Sequence, residues 1–394
     1  MDLLGPRLTG DAVAKDKLRV GIVGANIERG FAIAAHIPAL QVLPGFEITA
    51  VCTTRQSSAA QAADYLGIPL AFTDPAQLAE HPDVDIVAVS VRVPSHRDVV
   101  LAALAAGKHV YCEWPLGRNL EEDRELLAAA EDAGVRHLVG LQARAAPWAN
   151  YVRDLVANGD LGRVLSATMA VTAASRPPSA DSAFMLDRAA GMNSLTIAGG
   201  HTLDLLRYCL GELRQLSAFE VNQHPQVTTP EGMTLNKSTL DQLVVCGVIG
   251  DDLAVSYQLR GGGIPREPRF SFEIHGEEAD LVLASLPTTT ESMQRQHLTV
   301  SRRSPTGELV ALDVPDSYRL VPPETPPGAP FNVAQMYLRL AHAIEGGVPA
   351  DPGFEVGVSC HELLEAVTRA SESGSIRSES LPSDTSLASP PVRR

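Results

Sequence analysis

The segment VGIVGANIERGFA, residues 20–32, carries the strongest fold signal in the sequence. Its first residues belong to LRVGIVG (18–24), a short apolar, β-branched run that is typical of a buried parallel strand. Glycine ends the run, and FAIAAHIPALQVL (31–43) follows with small and apolar residues at helical spacing. The segment therefore predicts a strand, a glycine-containing loop and a helix in direct succession.

Strand and helix patterns continue to alternate through the first third of the chain. Further apolar runs predict strands at 46–52, 84–91, 108–115 and 136–142. Helical patterns lie between them at 57–67, 95–107 and 119–134. Such alternation is typical of βαβ units in a parallel, doubly wound sheet with helices on both faces. Residues 17–145 are therefore predicted to form an α/β domain of the Rossmann type.

The pattern changes after about residue 145. Helices are predicted at 148–162, 194–211, 331–347 and 353–374. Most of the chain between the second and third of these helices reads as consecutive short strands. Residues 146–372 are predicted to form an α+β domain with a large open, mostly antiparallel sheet. Residues 1–16 are expected to be a flexible leader, and 373–394, rich in Ser and Pro, a disordered tail.

Composition excludes several classes of protein. A formal net charge of −15, without any basic stripe, argues against nucleic acid as a direct partner. No apolar stretch approaches the roughly 20 residues needed to span a bilayer, and no signal peptide pattern is present. The five cysteines are scattered without a CxxC pair, and the histidines lack metal spacing. We expect a cytoplasmic protein without a metal site or a membrane partner.

The loop after the first strand has the character of a phosphate-binding loop. Glycine lets the backbone approach a pyrophosphate, whose charge then lies at the helix N-terminus. Gly24 opens the loop, Asn26 stands where the second glycine is expected, and Gly30 comes one position late. The match is imperfect, but its place at the start of several βαβ units predicts a dinucleotide site formed by Gly24, Ala25, Asn26 and Gly30. A tight turn without a ligand is the alternative.

The end of the second strand bears on the choice of cofactor. An acidic residue about 20 positions after the loop usually binds the ribose 2′-hydroxyl of NAD. Here the strand is followed by Thr53, Thr54 and Arg55, with no carboxylate among them. Because Arg55 can pair with a 2′-phosphate, the sequence favours NADP over NAD as the cofactor.

Seven segments in order resemble the Gfo/Idh/MocA superfamily (glucose–fructose oxidoreductase, inositol dehydrogenase, rhizopine catabolism): GIVGA, AAHIPAL, HPDVDIVAVSVRVPSH, LAAGKHVYCEWPL, VGLQARAAP, GDLGRV and GGHTLDLLRYCLGE. The resemblance spans about residues 17–350. Within this superfamily, the branch that contains the fungal galactose-regulon repressor is the most similar in three segments: EWPL, LQARAAP and GGHTLDLLRY. The resemblance implies a Rossmann domain followed by an α/β domain whose open sheet often mediates dimerisation, and hence a homo-oligomer.

The resemblance also implies roles for individual residues. It places Val91, Pro94 and His96 in the loop beside the nicotinamide. It makes Glu113 part of the wall around the cofactor ribose. His201 corresponds to the catalytic histidine of the family.

Two positions depart from the family pattern. Trp114 stands where the family has a catalytic lysine, and Ile197 stands where it has an aspartate four residues before the histidine. Two of three proton-handling groups are therefore missing, which puts standard oxidation of a sugar hydroxyl in doubt. Trp114 can stack on the nicotinamide or on a sugar face, or it can be a wall residue that keeps the pocket dry.

Three further residues are candidates for contact with a substrate. Arg144 follows the fifth strand, at the carboxyl edge of the sheet, where it can clamp a carboxylate or phosphate or form a structural salt bridge. Asn193 lies near the entry of the helix that carries His201. Asp204 lies one helical turn after His201 and can share a face with it, or it can face the interdomain seam.

These features predict an NAD(P)-dependent oxidoreductase that acts on a small molecule: a sugar, a polyol or a related cyclic hydroxy or keto compound. Hydride transfer needs a group that takes or gives the hydroxyl proton, and His201 is the candidate for this acid/base role. It can instead be a hydrogen-bonded interface histidine. Two other functions stay open: a non-catalytic NAD(P)-binding regulator, and a lyase or isomerase that uses bound cofactor without net redox change.

Overall fold

The first sheet contains six parallel strands in the order β3-β2-β1-β4-β5-β6. They are β1 (Leu18–Val23), β2 (Phe46–Cys52), β3 (Leu70–Phe72), β4 (Ile86–Val89), β5 (His109–Glu113) and β6 (His137–Gly140). The strand order reverses between β1 and β4, and ligands bind at the carboxyl ends of strands at such a reversal. The predicted Rossmann sheet is confirmed.

The structure is a computed structural model that describes residues 17–173, 180–261, 269–286 and 292–373. The predicted leader lies outside these ranges, and so does the predicted tail except for Ser373, which ends the last helix. The helices are α1 (Ile37–Gln41), α2 (Gln56–Leu66), α3 (Pro75–Glu80), α4 (His96–Ala105), α5 (Leu120–Ala133), α6 (Pro147–Asn158), α7 (Gly200–Leu210), α8 (Ala329–Gly346) and α9 (Phe354–Ser373).

Two short elements of the first domain were not predicted. Strand β3 has three residues and α3 has six, so both are shorter than the stretches of about 4–8 residues for a strand and 11–18 for a helix over which an apolar pattern is recognised. The predicted helix 31–43 is also divided. It begins with a π-helical turn, Ala32–His36, and Pro38 then lies in the first turn of α1, where it has no N–H to donate.

The second sheet has eight strands in the order β16-β15-β14-β13-β7-β12-β11-β8. Only the pair β7 and β12 is parallel. The strands are β7 (Val164–Thr172), β8 (Leu213–Val221), β11 (Gln242–Ile249), β12 (Leu253–Arg260), β13 (Phe270–Gly276), β14 (Asp280–Ser285), β15 (Leu298–Arg303) and β16 (Leu309–Leu312); β9 (Gln226–Thr228) and β10 (Thr234–Asn236) form a separate hairpin. The predicted large, mostly antiparallel sheet is confirmed.

One face of the second sheet is covered and the other is open. Along β11, Leu243 and Val245 are buried, whereas Val244 and Cys246 are exposed. This alternation is typical of an antiparallel sheet that packs on a core with one face only. The chain alone therefore leaves a broad face uncovered.

The last two helices connect the two halves of the molecule. Helix α8 packs on the first sheet, since Val333 and Leu340 belong to the same buried cluster as Val20 and Ile22. Helix α9 contacts both α5 and β8. The chain thus returns to the Rossmann domain after completing the second sheet, which the order of the sequence patterns did not indicate.

Candidate functional site

Gly24 brings the loop after β1 into close contact with the end of β4. Its φ angle is +98°, and a Cβ atom at this position would lie 2.3 Å from the carbonyl oxygen of Ser90. Its amide donates to the carbonyl oxygen of Cys52 at 2.9 Å. Only glycine satisfies both the angle and the close approach. The loop therefore forms the type of backbone cradle that a dinucleotide diphosphate requires, and the residues fit this cofactor.

Asn26 organises the same loop in the place of a glycine. Its side-chain oxygen accepts hydrogen bonds from the amides of Glu28 at 2.8 Å and Arg29 at 3.3 Å. Ala25 is buried, and Gly30 has a φ angle of +107° without steric crowding. The Asn26 side chain thus accepts hydrogen bonds from two backbone amides that would be free to bind a ligand if this residue were glycine. The sequence analysis did not anticipate this effect of the replacement of glycine by asparagine.

The residues after β2 form a polar corner at the carboxyl edge of the sheet. The hydroxyl oxygens of Thr53 and Ser58 lie 2.6 Å apart, and Thr53 also donates to the carbonyl oxygen of Arg55 at 3.1 Å. Thr54 and Arg55 are exposed. The structure thus turns Thr53 inward and leaves the guanidinium of Arg55 accessible.

His96 is a buried support for two loops rather than an exposed contact. Its ring is 1% exposed, with Nδ1 2.9 Å from the carbonyl oxygen of Pro115 and Nε2 3.1 Å from that of Val91. Burial lowers the pKa of His96. His96 belongs to the loop that was expected to lie beside the nicotinamide, and main-chain carbonyls face both of its ring nitrogens, so its side chain holds this loop in place. Pro94 remains exposed and Val91 half-buried.

Glu113 lies at the centre of a side-chain network at the end of β5. Its Oε1 lies 3.0 Å from Nε2 of His36, and its Oε2 accepts from Nε2 of Gln142 at 2.6 Å. Nδ1 of His36 lies 2.8 Å from the hydroxyl of Tyr337 on α8. The network fixes the Glu113 carboxylate in the wall of the crevice, with 13% of the side chain exposed.

Trp114 packs tightly against the start of α7. Its Nε1 donates to the carbonyl oxygen of Thr196 at 2.8 Å, and a Cβ atom on Gly200 would lie 2.5 Å from this nitrogen. Its ring centroid is 4.9 Å from that of His361, and the residue is 6% exposed. Of the two roles expected for Trp114, this packing favours the wall residue, because the polar atom of the indole is already used.

His201 is a neutral, buried imidazole in the first turn of α7. It is 5% exposed, and its Nδ1 has no hydrogen-bond partner among the residues that the structure describes. Burial lowers the pKa of His201 to about 3; the charge of Asp204 opposes this shift and that of Arg295 adds to it. The guanidinium of Arg295 lies 4.6 Å from the ring centroid of Phe31, which precedes the first helix. Arg295 thus packs on Phe31 at the end of the phosphate loop while its charge acts on His201.

Asp204 and Arg144 form a buried ion pair with two hydrogen bonds. Nε and Nη2 of Arg144 donate to the two carboxylate oxygens at 2.9 and 2.8 Å, and Nη2 of Arg207 lies 3.5 Å from one of them. Burial acts to raise the pKa of Asp204, but the two arginines hold it below its usual value. Asp204 is 0% exposed and bonded to Arg144, which favours the seam position over contact with a substrate. Arg144 forms the structural salt bridge that the sequence left open.

A cavity of about 220 Å³ lies where β7, the segment before α7 and the segment 292–296 meet. Asn193, Ile197 and Thr202 contribute to its wall. Asn193 is 5% exposed, and its side-chain oxygen accepts from the amide of Leu195 at 2.9 Å. His201 immediately precedes Thr202, so the cavity and the histidine share the start of one helix.

Over the described ranges, no three His, Cys, Asp or Glu side chains are grouped so that they could hold a metal ion. The helices described above include none with the length and apolar character needed to cross a bilayer.

Comparison with known families and proteins identifies the chain. Residues 18–141 match the oxidoreductase family with an NAD-binding Rossmann fold, and residues 147–285 match the C-terminal domain of Gal80p. The chain is 30% identical over 362 residues to 1,5-anhydro-D-fructose reductase of Ensifer adhaerens, which covers 90% of this chain and 97% of that enzyme. The chain belongs to the Gfo/Idh/MocA superfamily.

Other Gfo/Idh/MocA relatives include both enzymes and a regulator. Dehydrogenase aclE of Aspergillus oryzae is 36% identical over 209 residues, 51% of this chain and 57% of that protein. The galactose/lactose metabolism regulatory protein GAL80 of Saccharomyces cerevisiae is 26% identical over 289 residues, 68% of this chain and 66% of that protein. These two matches thus span less than two thirds of the relatives' own length.

Solved structures show the same fold. A super-repressor mutant of Gal80p from Saccharomyces cerevisiae superimposes with a TM-score of 0.81 at 22% identity, over 92% of this chain and 99% of that one. Levoglucosan dehydrogenase in complex with NADH gives a TM-score of 0.78, also at 22% identity, over 93% and 100% of the two chains. At this level of identity the likeness establishes the Gfo/Idh/MocA architecture alone.

Several residues of the site were not indicated by the sequence. Arg295 reaches the site from the connection between β14 and β15, about 90 residues after His201. Asp123 and His361 form a buried pair, Oδ2 to Nδ1 at 2.5 Å, beneath the ring of Trp114. No local motif marks these residues, because each reaches the site through tertiary packing of distant segments.

Proposed function

We propose that this chain is a nicotinamide-dependent oxidoreductase that interconverts a secondary alcohol and a ketone on a small cyclic compound. The observation that carries the proposal is the state of His201: a neutral buried imidazole whose Nδ1 has no partner among the described residues, one position before Thr202 of the cavity wall. Names of relatives, such as 1,5-anhydro-D-fructose reductase and levoglucosan dehydrogenase, support a cyclic substrate related to sugars.

The chain's own residues provide the cofactor site. The backbone between Gly24 and Gly30, at the amides that Asn26 leaves open, would hold the diphosphate. Thr53, Thr54 and Arg55 would border the adenosine ribose. Glu113 and the loop of Val91 and Pro94 would border the nicotinamide half. When bound, the nicotinamide accepts or returns a hydride.

His201 would act as the general base in the oxidation and as the general acid in the reduction. In the oxidation of a secondary alcohol to a ketone, His201 would accept the proton of the substrate hydroxyl, and the bound nicotinamide would supply the acceptor for the hydride that leaves the same carbon. The protonated imidazole of His201 would then release the proton to solvent. His201 is deprotonated at neutral pH, and this is the state in which an imidazole can accept a proton.

The direct test measures reduced nicotinamide by its absorbance while purified protein is offered cyclic alcohols, polyols and the matching ketones. We expect turnover in the wild type and a loss of at least about 100-fold in kcat for His201→Asn, as is typical for removal of a general acid or base. His342→Asn, an exposed histidine on α8, is the matched control and should keep full activity. Equal activity of His201→Asn and wild type contradicts the proposed role.

A second candidate function is a non-catalytic cofactor-binding regulator. It is favoured by Trp114 and Ile197, which replace two charged positions of the family, and by the match of residues 147–285 to the C-terminal domain of Gal80p. Tight cofactor binding without turnover of any compound in the assay above would support it. Product formed without change in the redox state of the cofactor would instead indicate a lyase or isomerase.

We also infer that the open face of the second sheet pairs with a second copy of the chain. The exposed Val244 and Cys246 lie on this face, and an uncovered apolar face usually marks an interface. Sedimentation equilibrium should show an oligomer for the wild type and a shift towards monomer for Val244→Glu. A monomeric wild type contradicts the inference.

A further inference from the structure

The cavity beside the start of α7 is lined by many polar side chains. Among the residues that the structure describes, its polar lining consists of Thr172, Asn193, Ser194, Thr202, Arg269, Ser292, Gln294 and Gln296. Arg269 is the one charged side chain of this described lining, which contains no carboxylate. The wall therefore presents a positive charge, together with amides and hydroxyls, to a molecule that fills the cavity.

Arg269 is held at the edge of the cavity by the second sheet. It directly precedes β13, and its carbonyl oxygen accepts a hydrogen bond from the amide of Thr172 at 2.7 Å. The residue is half-buried, and its guanidinium has neither an ion pair nor a hydrogen bond with the described part of the chain. Partial burial removes water from a cation, and this cost is offset when an anion replaces the water. An anionic group of a ligand would supply this counter-ion.

Two amide side chains add neutral donors to the same wall. Gln294 is 7% exposed, and its side chain makes no hydrogen bond with the residues that the structure describes. The side-chain oxygen of Asn193 accepts from the amide of Leu195 at 2.9 Å, whereas its Nδ2 has no acceptor within the described ranges. An amide NH₂ group can only donate. These two groups therefore favour a ligand group that accepts hydrogen bonds, as a carboxylate does.

Two further arginines make the surroundings of the cavity positive. Arg295 lies between two lining residues, and its charge acts on His201. The guanidinium of Arg92 lies 4.8 Å from the ring centroid of Phe184, which precedes the lining residue Met185. The chain as a whole has a formal net charge of −15. A positive region within an acidic protein attracts anions to that region.

From this arrangement we propose that the substrate carries a carboxylate on its ring and that Arg269 binds this carboxylate. The substrate is then a cyclic hydroxy acid or the matching keto acid, rather than a neutral sugar or polyol. The inference rests on the proposed function, because the cavity shares the start of α7 with His201.

The size and charge of the cavity fit a carboxylate better than a phosphate. A volume of about 220 Å³ holds one six-membered ring with a small substituent, since an apolar cavity of about 150 Å³ holds benzene. A carboxylate has one charge and a planar pair of oxygens, which match a single guanidinium. A phosphate monoester carries nearly two charges, and Arg269 is the one cation of the described lining.

Matched pairs of sugars test the proposal on wild-type protein loaded with reduced cofactor, so that no oxidation occurs during the titration. D-Glucuronate and D-glucose differ only at C6, where a carboxylate replaces a hydroxymethyl group, and D-galacturonate and D-galactose form a second pair. In calorimetry, at least one acid should bind about tenfold or more tightly than its neutral partner, as expected for a charge-assisted contact.

D-Glucose 6-phosphate distinguishes the two anion chemistries in the same titration. It should bind more weakly than the acid that binds best. Tighter binding of the phosphate than of both acids overturns the carboxylate. Equal binding within both pairs, or no binding of either acid, overturns the proposal as a whole.

Substitution of Arg269 provides a second arm. Arg269→Gln should weaken binding of the acid at least about tenfold and leave binding of its neutral partner unchanged, because it removes the charge alone. Arg269→Lys keeps the charge and should retain part of the affinity. Arg369→Gln, at an exposed position on α9 outside the cavity, is the matched control.

Cofactor binding is measured on the same samples and shows that each variant is folded. An equal loss for the acid and its neutral partner, or no loss at all in Arg269→Gln, contradicts the assigned role of Arg269. The wild-type titrations decide the substrate class even if a variant fails to fold.

The two levels of the account fail differently. Turnover of a neutral sugar or polyol that depends on His201 and is unaffected by Arg269→Gln would overturn the acidic substrate and leave the oxidoreductase intact. Absence of cofactor binding would overturn both.

Discussion

Asp204 and Arg144 face each other with two parallel hydrogen bonds of 2.9 and 2.8 Å, in a seam where neither side chain is more than 10% exposed. Arg144 follows β6, and Asp204 lies on α7 of the second domain. His201 is one helical turn before Asp204, so the ion pair sets the position of the imidazole relative to the crevice. The buried pair therefore joins the end of β6 to the helix that carries His201.

Asp204→Asn should lower the free energy of unfolding by about 3 kcal/mol, because it leaves the buried charge of Arg144 with only the exposed carboxylate of Asp351 at 3.8 Å. Asp252→Asn is the matched control, since Asp252 is 71% exposed and pairs with Arg163 at 3.3 Å; its cost should stay below about 1 kcal/mol. Urea unfolding of both variants measures the difference. Equal costs for the two variants would refute a structural role for the buried pair.

The low pKa of His201 predicts that acid destabilises the fold. Its pKa is about 3 in the folded protein against 6.5 for the free side chain, so between these values the unfolded chain binds a proton that the folded chain does not. Stability from this residue is complete above pH 6.5 and falls as the pH is lowered towards 3. At about pH 5 the loss from His201 amounts to about 2 kcal/mol.

Other groups also titrate in this range, so the test compares variants. The difference in unfolding free energy between about pH 7.5 and about pH 5 should be smaller in His201→Gln than in the wild type. His342→Gln, at an exposed position, should keep the wild-type difference. If His201→Gln keeps it as well, the imidazole is not held neutral by the fold.

Arg55 should determine the preference between the two nicotinamide cofactors. Its exposed guanidinium lies at the carboxyl edge of β2, where a 2′-phosphate would approach. Arg55→Gln should weaken NADP binding about tenfold and leave NAD binding nearly unchanged, as expected for loss of one charged contact. Arg124→Gln, 59% exposed on α5, is the control. A wild type that binds NAD at least as tightly as NADP contradicts the prediction.

The two-sheet architecture could be predicted because most strands of both sheets show a recognisable apolar or alternating pattern in their own sequence. Apolar runs such as 46–52 and alternating stretches such as 253–260 specify strands by themselves. Strand β3, with three residues, is too short to show either pattern. The return of α8 to the first sheet was also missed, because Tyr337 and its neighbours read simply as an amphipathic helix with no indication of what it covers.

The site was predicted less completely than the fold. Gly24 could be identified from its place in a motif, and the structure shows why only glycine fits there. For Asp204 the sequence left open a substrate contact or a position in the interdomain seam, and the structure places it against Arg144. His96 was assigned to the loop beside the nicotinamide, and its side chain is buried against main-chain carbonyls. Spacing along a helix indicates which residues share a face, but it does not indicate what occupies the space opposite. That space is filled by Arg144, which is distant in sequence.

The central claim is that the loop between Gly24 and Gly30 binds a dinucleotide. Calorimetric titration of cofactor-free protein with NADPH and with NADH tests it most directly. The account predicts one site per chain in the wild type, and loss of binding in Gly24→Ala, where the new Cβ would meet the carbonyl oxygen of Ser90. Gly45→Ala, which has open space around it, should bind normally. No uptake of either dinucleotide by the wild type would contradict the account.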